Sequence, residues 1–92
     1  MRLLLIEDDK ETGQAVVEGL RARGHAVDWN IDGQSALERA ASGAYELLVV
    51  DRMLPGIDGL LLVAELRRRQ IAAPALMLTA LSVAREREQG TF

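Results

Sequence analysis

Carboxylate side chains follow two apolar segments of this 92-residue chain. Met1–Ile6 leads directly into Glu7, Asp8 and Asp9, and Glu46–Val50 leads into Asp51. If both segments are buried parallel strands, their C-terminal ends lie side by side and the carboxylates converge. Because like charges at short range raise one another's pKa, such a cluster is costly to keep. The pattern therefore favours a hard cation held by oxygen ligands, or carboxylate chemistry.

Each acidic group also has a simpler interpretation when it is taken alone. Glu7–Asp9 could be a solvated loop, and Asp51 could cap a helix or lie in a turn. Together they favour a cation site, with Mg²⁺ as the ion, because Mg²⁺ takes few carboxylates and shares phosphate oxygens. Thr79 ends another candidate strand, where it could be a simple β-former or could donate its hydroxyl to a phosphoryl oxygen.

Apolar runs and helix-spaced patterns alternate along the chain, which predicts a parallel sheet with helices on both faces. In such sheets ligands bind at the C-terminal ends of the strands. Leu60, Val63, Ala64 and Leu66 are the expected core face of the third helix. The predicted strands are Leu3–Ile6, His25–Asn30, Leu47–Val50 and Ala75–Thr79, and the predicted helices are Lys10–Arg23, Gln34–Ala41, Gly59–Arg69 and Val83–Gln89.

Composition narrows the possible classes of protein. Ninety-two residues predict one small domain, and the formal net charge of −3 gives no reason to expect binding to nucleic acid or to an anionic membrane. The absence of cysteine excludes disulfides and thiolate chemistry, and fits a reducing cytoplasm. No apolar run is long enough to span a bilayer.

His25 lacks a partner for nucleophilic catalysis and is expected at the surface, while Trp29 is expected to flank a helix.

Three separate motifs, in order, resemble the receiver domain of bacterial two-component response regulators. They are the acidic end of the first strand (Leu4–Asp9), the segment around the central aspartate (Val49–Gly59) and a strand ending in a hydroxyl residue (Leu76–Ala80). The resemblance implies an α/β, flavodoxin-like (CheY-like) three-layer sandwich with strand order 2-1-3-4. Its first strand and aspartate segment look most like those of OmpR-type transcription regulators.

The resemblance also implies a role for each matching position. Asp51 would accept a phosphoryl group from a sensor histidine kinase, and Glu7 and Asp8 would hold Mg²⁺ together with Asp51. Other positions would contribute more indirectly: Met53 through its backbone carbonyl on the metal, Thr79 as the switch hydroxyl, Ala80 as its small neighbour, and Pro55 and Gly59 as residues that shape the loop. A receiver of this kind is a phosphoacceptor and not an enzyme in the usual sense.

The chain departs from the family pattern at its C-terminal end. Receivers of this family have a fifth strand and a fifth helix, and the fifth strand carries a lysine that pairs with the phosphoryl group. Neither element has a counterpart here, and Lys10, the only lysine, does not match that position. We therefore expect a truncated receiver over residues 1–92 without a DNA-binding domain, and slow or lost phosphorylation. An exposed edge at Ala75–Thr79 would favour a homodimer or a segment-exchanged assembly.

Two other functions stay open. A receiver fragment impaired in phosphorylation could act as an interaction module that sequesters a kinase or another partner. A Mg²⁺-dependent phosphohydrolase on a similar fold is disfavoured, because the acid/base aspartate expected two residues after a nucleophilic Asp51 is Met53.

Overall fold

Four parallel strands and three helices alternate along the chain in a computed structural model, which describes residues 1–54 and 56–78. The predicted helix at Val83–Gln89 lies outside the described residues. The elements are β1 (Arg2–Ile6), α1 (Lys10–Ala22), β2 (Ala26–Asn30), α2 (Gly33–Ser42), β3 (Leu47–Val50), α3 (Gly59–Arg68) and β4 (Ala75–Met77).

The sheet has the strand order β2-β1-β3-β4, which confirms the predicted order 2-1-3-4. Every neighbouring pair is parallel, and Ile6 pairs with both Asn30 and Val50 in register. The residues that follow β1 and β3 therefore leave the sheet at the same edge. Among the described strands, β2 and β4 form the two outer edges.

Two apolar clusters cover the two faces of the sheet, since successive strand side chains point to opposite sides. The α1-side cluster is formed by Leu3, Leu5, Val17, Val27 and Val49. The α2/α3-side cluster is larger and is formed by Leu4, Ile6, Ala36, Leu37, Ala40, Tyr45, Leu48, Val50, Leu54, Leu62 and Leu66. β1 and β3 contribute to both clusters, which explains why their sequences are continuously apolar.

An aspartate precedes each of the three described helices as its N-cap, and each aspartate side chain accepts a hydrogen bond from a backbone N–H of the first turn. Asp9 accepts from Thr12, Asp32 from Ser35 and Asp58 from Leu60. Such a cap satisfies a helix donor that has no partner within the helix. The first of these helices begins at Lys10 as predicted, whereas α2 begins at Gly33, one residue before the predicted start at Gln34.

The core face of α3 matches the expected one at Leu66 and at the partly buried Val63, and differs from it at Leu60 and Ala64. Leu62 and Leu66 are fully buried, while Leu60 is 47% exposed and Ala64 is also exposed. The helix begins at Gly59, which packs against the backbone of Asp51 and Arg52. The next buried residues of α3 are therefore Leu62 and Leu66, three and then four positions further along the helix. Because Leu60–Val63 is apolar at every position, hydropathy alone could not identify the buried side.

Polar groups surround the outer strand β2 and the loop that precedes it. The Tyr45 hydroxyl donates a hydrogen bond to Asp28 of β2 at 2.6 Å. His25, expected at the surface, is half-buried, and its Nδ1 is buried without a hydrogen-bond partner within the described part of the chain. The reason is that the His25 backbone N–H donates to Leu20 and folds the loop against the end of α1.

No described helix is both long enough and apolar enough to cross a membrane.

Gly13 and Gly19 lie on the same helix and provide a matched test of packing between α1 and β2. A Cβ at Gly13 would lie 2.1 Å from Cζ2 of Trp29, whereas a Cβ at Gly19 would have no atom within 4 Å. We expect Gly13→Ala to lower the free energy of unfolding by about 1–3 kcal/mol through overpacking. Gly19→Ala should raise it by about 0.5–1 kcal/mol, because alanine loses less backbone entropy on folding. Urea unfolding measures both changes, and equal stability of the two variants would contradict this packing.

Candidate functional site

Glu7 and Asp51 are the first residues after two neighbouring strands whose ends are in register. The Asp51 N–H donates to the Ile6 carbonyl at 2.9 Å, and the Glu7 N–H donates to the Asn30 carbonyl at 3.0 Å. Both side chains are buried, with 0% exposure for Glu7 and 5% for Asp51. Hydrogen bonds between strands therefore fix the backbone positions of Glu7 and Asp51.

Three carboxylates form one group, which we call the acidic cluster: Glu7, Asp8 and Asp51. One oxygen from each of them lies within 4.8 Å of the others. Asp8 is exposed, so the cluster is buried on the sheet side and open on the solvent side. Asp9 instead caps α1 with its side chain, which accepts from Thr12 at 2.9 Å.

Burial and the neighbouring carboxylates oppose the ionisation of Glu7. Burial raises the pKa of the Glu7 carboxyl to about 7. The Asp9 N–H, which donates to Oε2 of Glu7 at 3.0 Å, lowers this pKa, whereas the neighbouring Asp51 and Asp8 raise it further. The other oxygen, Oε1, is buried and accepts no hydrogen bond from any described residue. A buried acceptor without a partner is unfavourable, so this oxygen has a reason to meet a cation.

The donor set fits a small hard divalent cation. Each of the three residues offers a carboxylate oxygen, and Glu7 also has a buried oxygen that lacks a donor. Mg²⁺ favours such oxygens and keeps several waters, which the exposed side at Asp8 allows. Glu7, Asp8 and Asp51 are therefore the residues that could hold the ion.

The loop after β3 is held close to Asp51. The Met53 N–H donates to Oδ1 of Asp51 at 3.2 Å, and the Gly59 N–H donates to the Arg52 carbonyl at 2.8 Å. A Cβ on Gly59 would lie 2.5 Å from the Asp51 carbonyl oxygen and 2.9 Å from Cα of Arg52, so only glycine allows this approach. A ligand role for the Met53 carbonyl stays a prediction.

Two cavities open beside the acidic cluster, and both are lined by Asp8 and Met53. One, of about 570 Å³, extends along the loop and α3 toward Ile57 and Leu61. The other, of about 650 Å³, extends over the start of α1 toward Lys10. The Met53 side chain is 72% exposed, and Asp8 faces both cavities.

Three of the residues singled out in the sequence have no described position. Pro55, Thr79 and Ala80 lie outside the described residues, and their roles remain predictions. Leu78, the last described residue, donates its N–H to the Val50 carbonyl at 2.8 Å and so follows β4 beside the end of β3.

Trp29 is a contact of the site that sequence analysis did not identify. Its indole Nε1–H donates to the Glu7 backbone carbonyl at 2.9 Å. The sequence predicted only that Trp29 flanks a helix, and its ring does lie against α1 at Gly13. No motif links position 29 to position 7, because the contact depends on the register between β1 and β2.

Comparison with known proteins gives consistent results. The family model of the response regulator receiver domain matches residues 3–91. The transcriptional regulatory protein TcrA of Mycobacterium tuberculosis is 39% identical over 90 residues, which is 98% of this chain and 36% of TcrA. The chain thus spans well under half the length of the curated relatives it matches.

Solved structures show the same fold. The receiver domain of the Francisella response regulator 1452 has a TM-score of 0.80 at 29% identity, covering 83% of this chain and 63% of that one. TrrA of Thermotoga maritima, solved in complex with the histidine kinase ThkA, has a TM-score of 0.79 at 33% identity, covering 86% of this chain and 68% of that one. With the parallel sheet and its acidic edge, the family match over almost the whole chain shows that this protein belongs to the response regulator receiver domain family.

Proposed function

We propose that the chain is the phosphoacceptor module of a two-component phosphorelay, and that Asp51 accepts the phosphoryl group with Mg²⁺ held by Glu7, Asp8 and Asp51. The observation that carries the proposal is the acidic cluster, with its buried, unpartnered Glu7 oxygen, at the C-terminal edge of the sheet. The donor would be a phosphohistidine of a sensor histidine kinase. The solved complex of TrrA, a similar receiver, with a histidine kinase supports this choice of partner.

The transfer exchanges one bond to phosphorus for another. An oxygen of the Asp51 carboxylate attacks phosphorus, the bond from phosphorus to the histidine nitrogen breaks, and the electron pair of that bond stays on the imidazole. Bound Mg²⁺ supplies the positive charge that offsets the charge on the transferring group. Glu7 and Asp8 keep that charge at the site, and the Met53 N–H orients Oδ1 of Asp51.

The remaining assignments follow from this role. The chain would act in the cytoplasm as a receiver, and in longer relatives the receiver would control a DNA-binding domain. With a net charge of −3, these 92 residues are not expected to bind nucleic acid themselves. Thr79 would report the phosphoryl group, Ala80 would leave room for it, and Pro55 and Gly59 would shape the loop behind it. The alternative is a module that binds a kinase or partner without being phosphorylated.

The first prediction of the proposed function concerns the acceptor. In the presence of Mg²⁺ and acetyl phosphate, the wild-type chain should slowly gain the mass of one phosphoryl group, and Asp51→Asn should gain none. Asp58→Asn is the matched control, because Asp58 is exposed on the same loop and asparagine can keep its cap on α3. Intact-protein mass spectrometry measures the gain. Labelling of Asp51→Asn would exclude Asp51 as the acceptor, and an unlabelled wild type that still binds Mg²⁺ would favour the interaction module.

The second prediction concerns pH. Because the pKa of Glu7 is raised to about 7 in the folded chain, the native state holds a proton that the unfolded state has already released. The free energy of unfolding should therefore fall as pH rises from about 5 to 8, by about 1–2 kcal/mol after allowance for solvent screening at the exposed side of the cluster. Mg²⁺ should reverse most of this loss above pH 7.

Thermal unfolding across this pH range, with and without Mg²⁺, tests the prediction. Glu7→Gln should remove most of the pH dependence, because glutamine carries no charge at any pH. Glu11→Gln is the control, since Glu11 is an exposed carboxylate of α1 outside the acidic cluster. A wild-type stability that rises with pH over this range would contradict the assignment.

The third prediction concerns self-association. We propose that the β4 edge supports a homodimer or a segment-exchanged assembly, because β4 is an outer strand of the described sheet and Leu76 on it is 56% exposed. Sedimentation should show dimers at high micromolar concentration. Leu76→Lys should shift the chain toward monomer, since a charged side chain on an edge strand opposes pairing. Leu61→Lys is the control, at a 63% exposed leucine on α3. A wild-type monomer would refute the proposal.

A further inference from the structure

Trp29 connects the edge strand β2 to the first residue of the acidic cluster. It lies in register with Leu5 of β1, and its indole reaches forward along the strand to the Glu7 carbonyl. The donor–acceptor distance of 2.9 Å is that of a well-formed N–H···O hydrogen bond. This is a side-chain bond to the backbone of a residue that the proposed function assigns to Mg²⁺.

The indole ring is itself held in place by helix α1. It packs against the α1-side cluster, and it lies so close to Gly13 that a Cβ there would be 2.1 Å from Cζ2 and 2.4 Å from Cε2. The ring therefore fills the space that a side chain at position 13 would take. Because the ring is confined between strand and helix, the direction of its N–H is also confined.

Residues of β2 bind both backbone polar groups of Glu7. Its N–H donates to the Asn30 carbonyl at 3.0 Å, and its carbonyl accepts from Trp29. That carbonyl belongs to the peptide group joining Glu7 to Asp8, and a peptide group is planar. The Trp29 bond thus fixes the plane that directs the chain into Asp8, the exposed carboxylate of the cluster.

From these contacts we infer that Trp29 is a positioning residue for the metal site, and that its indole N–H sets the direction of the Glu7–Asp8 peptide so that both carboxylates meet Asp51. This inference rests on the proposed function, since it concerns the same Mg²⁺ site. Residues that orient ligands without touching the ion commonly change affinity when they are replaced.

Trp29→Phe tests the inference, because phenylalanine keeps an aromatic ring against Gly13 but has no N–H to donate. Val27→Ala is the matched control, since Val27 lies on the same strand and in the same α1-side cluster, and no side-chain hydrogen bond joins it to the acidic cluster. Amide NMR spectra during a titration with MgCl₂ give the dissociation constant, and urea unfolding gives the stability of each variant.

We expect the Mg²⁺ dissociation constant to rise by about tenfold in Trp29→Phe and by less than about twofold in Val27→Ala, although both variants lose stability. The spectrum of the wild type provides a second measurement that needs no variant. Trp29 is the only tryptophan, so its single indole N–H signal should shift during the titration with the same dissociation constant as the Asp8 amide.

Three results would overturn the inference. Equal affinity of Trp29→Phe and wild type would do so, as would an equal loss in both variants, which would indicate general loosening of the core. An indole signal that stays fixed while the Asp8 amide shifts would do so even if Trp29→Phe did not fold. Each of these results leaves the proposed function standing, whereas a wild type that binds no Mg²⁺ at all would overturn both.

Discussion

The placement of an acidic side chain in a position closed to water is the constraint on which the rest of this structure depends. Glu7 is fully buried beside Asp51, and both follow strands whose hydrogen bonds leave them no room to separate. Burial and like charge both oppose ionisation of Glu7. The stability of the surrounding sheet and helices must offset this cost, and the cost falls only when a proton or a cation is present. Binding of a proton or a cation at this site is therefore favourable.

The scaffold around the cluster keeps the backbone from relaxing away from it. On one side, β2 holds both backbone groups of Glu7 through Asn30 and Trp29. On the other side, α3 begins at a glycine that touches the Asp51 backbone, so the start of that helix is locked to the end of β3. The two acidic residues are fixed by different elements, Glu7 by the neighbouring strand β2 and Asp51 by the start of α3, and their separation therefore depends on the whole fold.

Much of this could be predicted from the sequence. The continuous apolar runs before Glu7 and Asp51 and the alternation of strands with helices predicted a parallel sheet and the meeting of Glu7, Asp8 and Asp51. The order of the strands came from the resemblance to receiver domains. The buried face of α3 was predicted at Val63 and Leu66 but not at Leu62, because four successive apolar residues fit any rotation of the helix and the backbone contact at Gly59 selects one of them. The contact between Trp29 and Glu7 could not be predicted either, because it depends on the register between β1 and β2. The half-burial of His25 was missed because it depends on how the loop folds against the end of α1.

The two chromophores of the chain are divided between the two faces of the sheet. Trp29 packs against the α1-side cluster and Tyr45 belongs to the α2/α3-side cluster, and the sequence has one residue of each kind. The indole and the phenol therefore act as separate optical labels for the two halves of the core. If the halves melt as one cooperative unit, their unfolding curves superimpose; if one half loosens first, the two curves separate without any label being introduced.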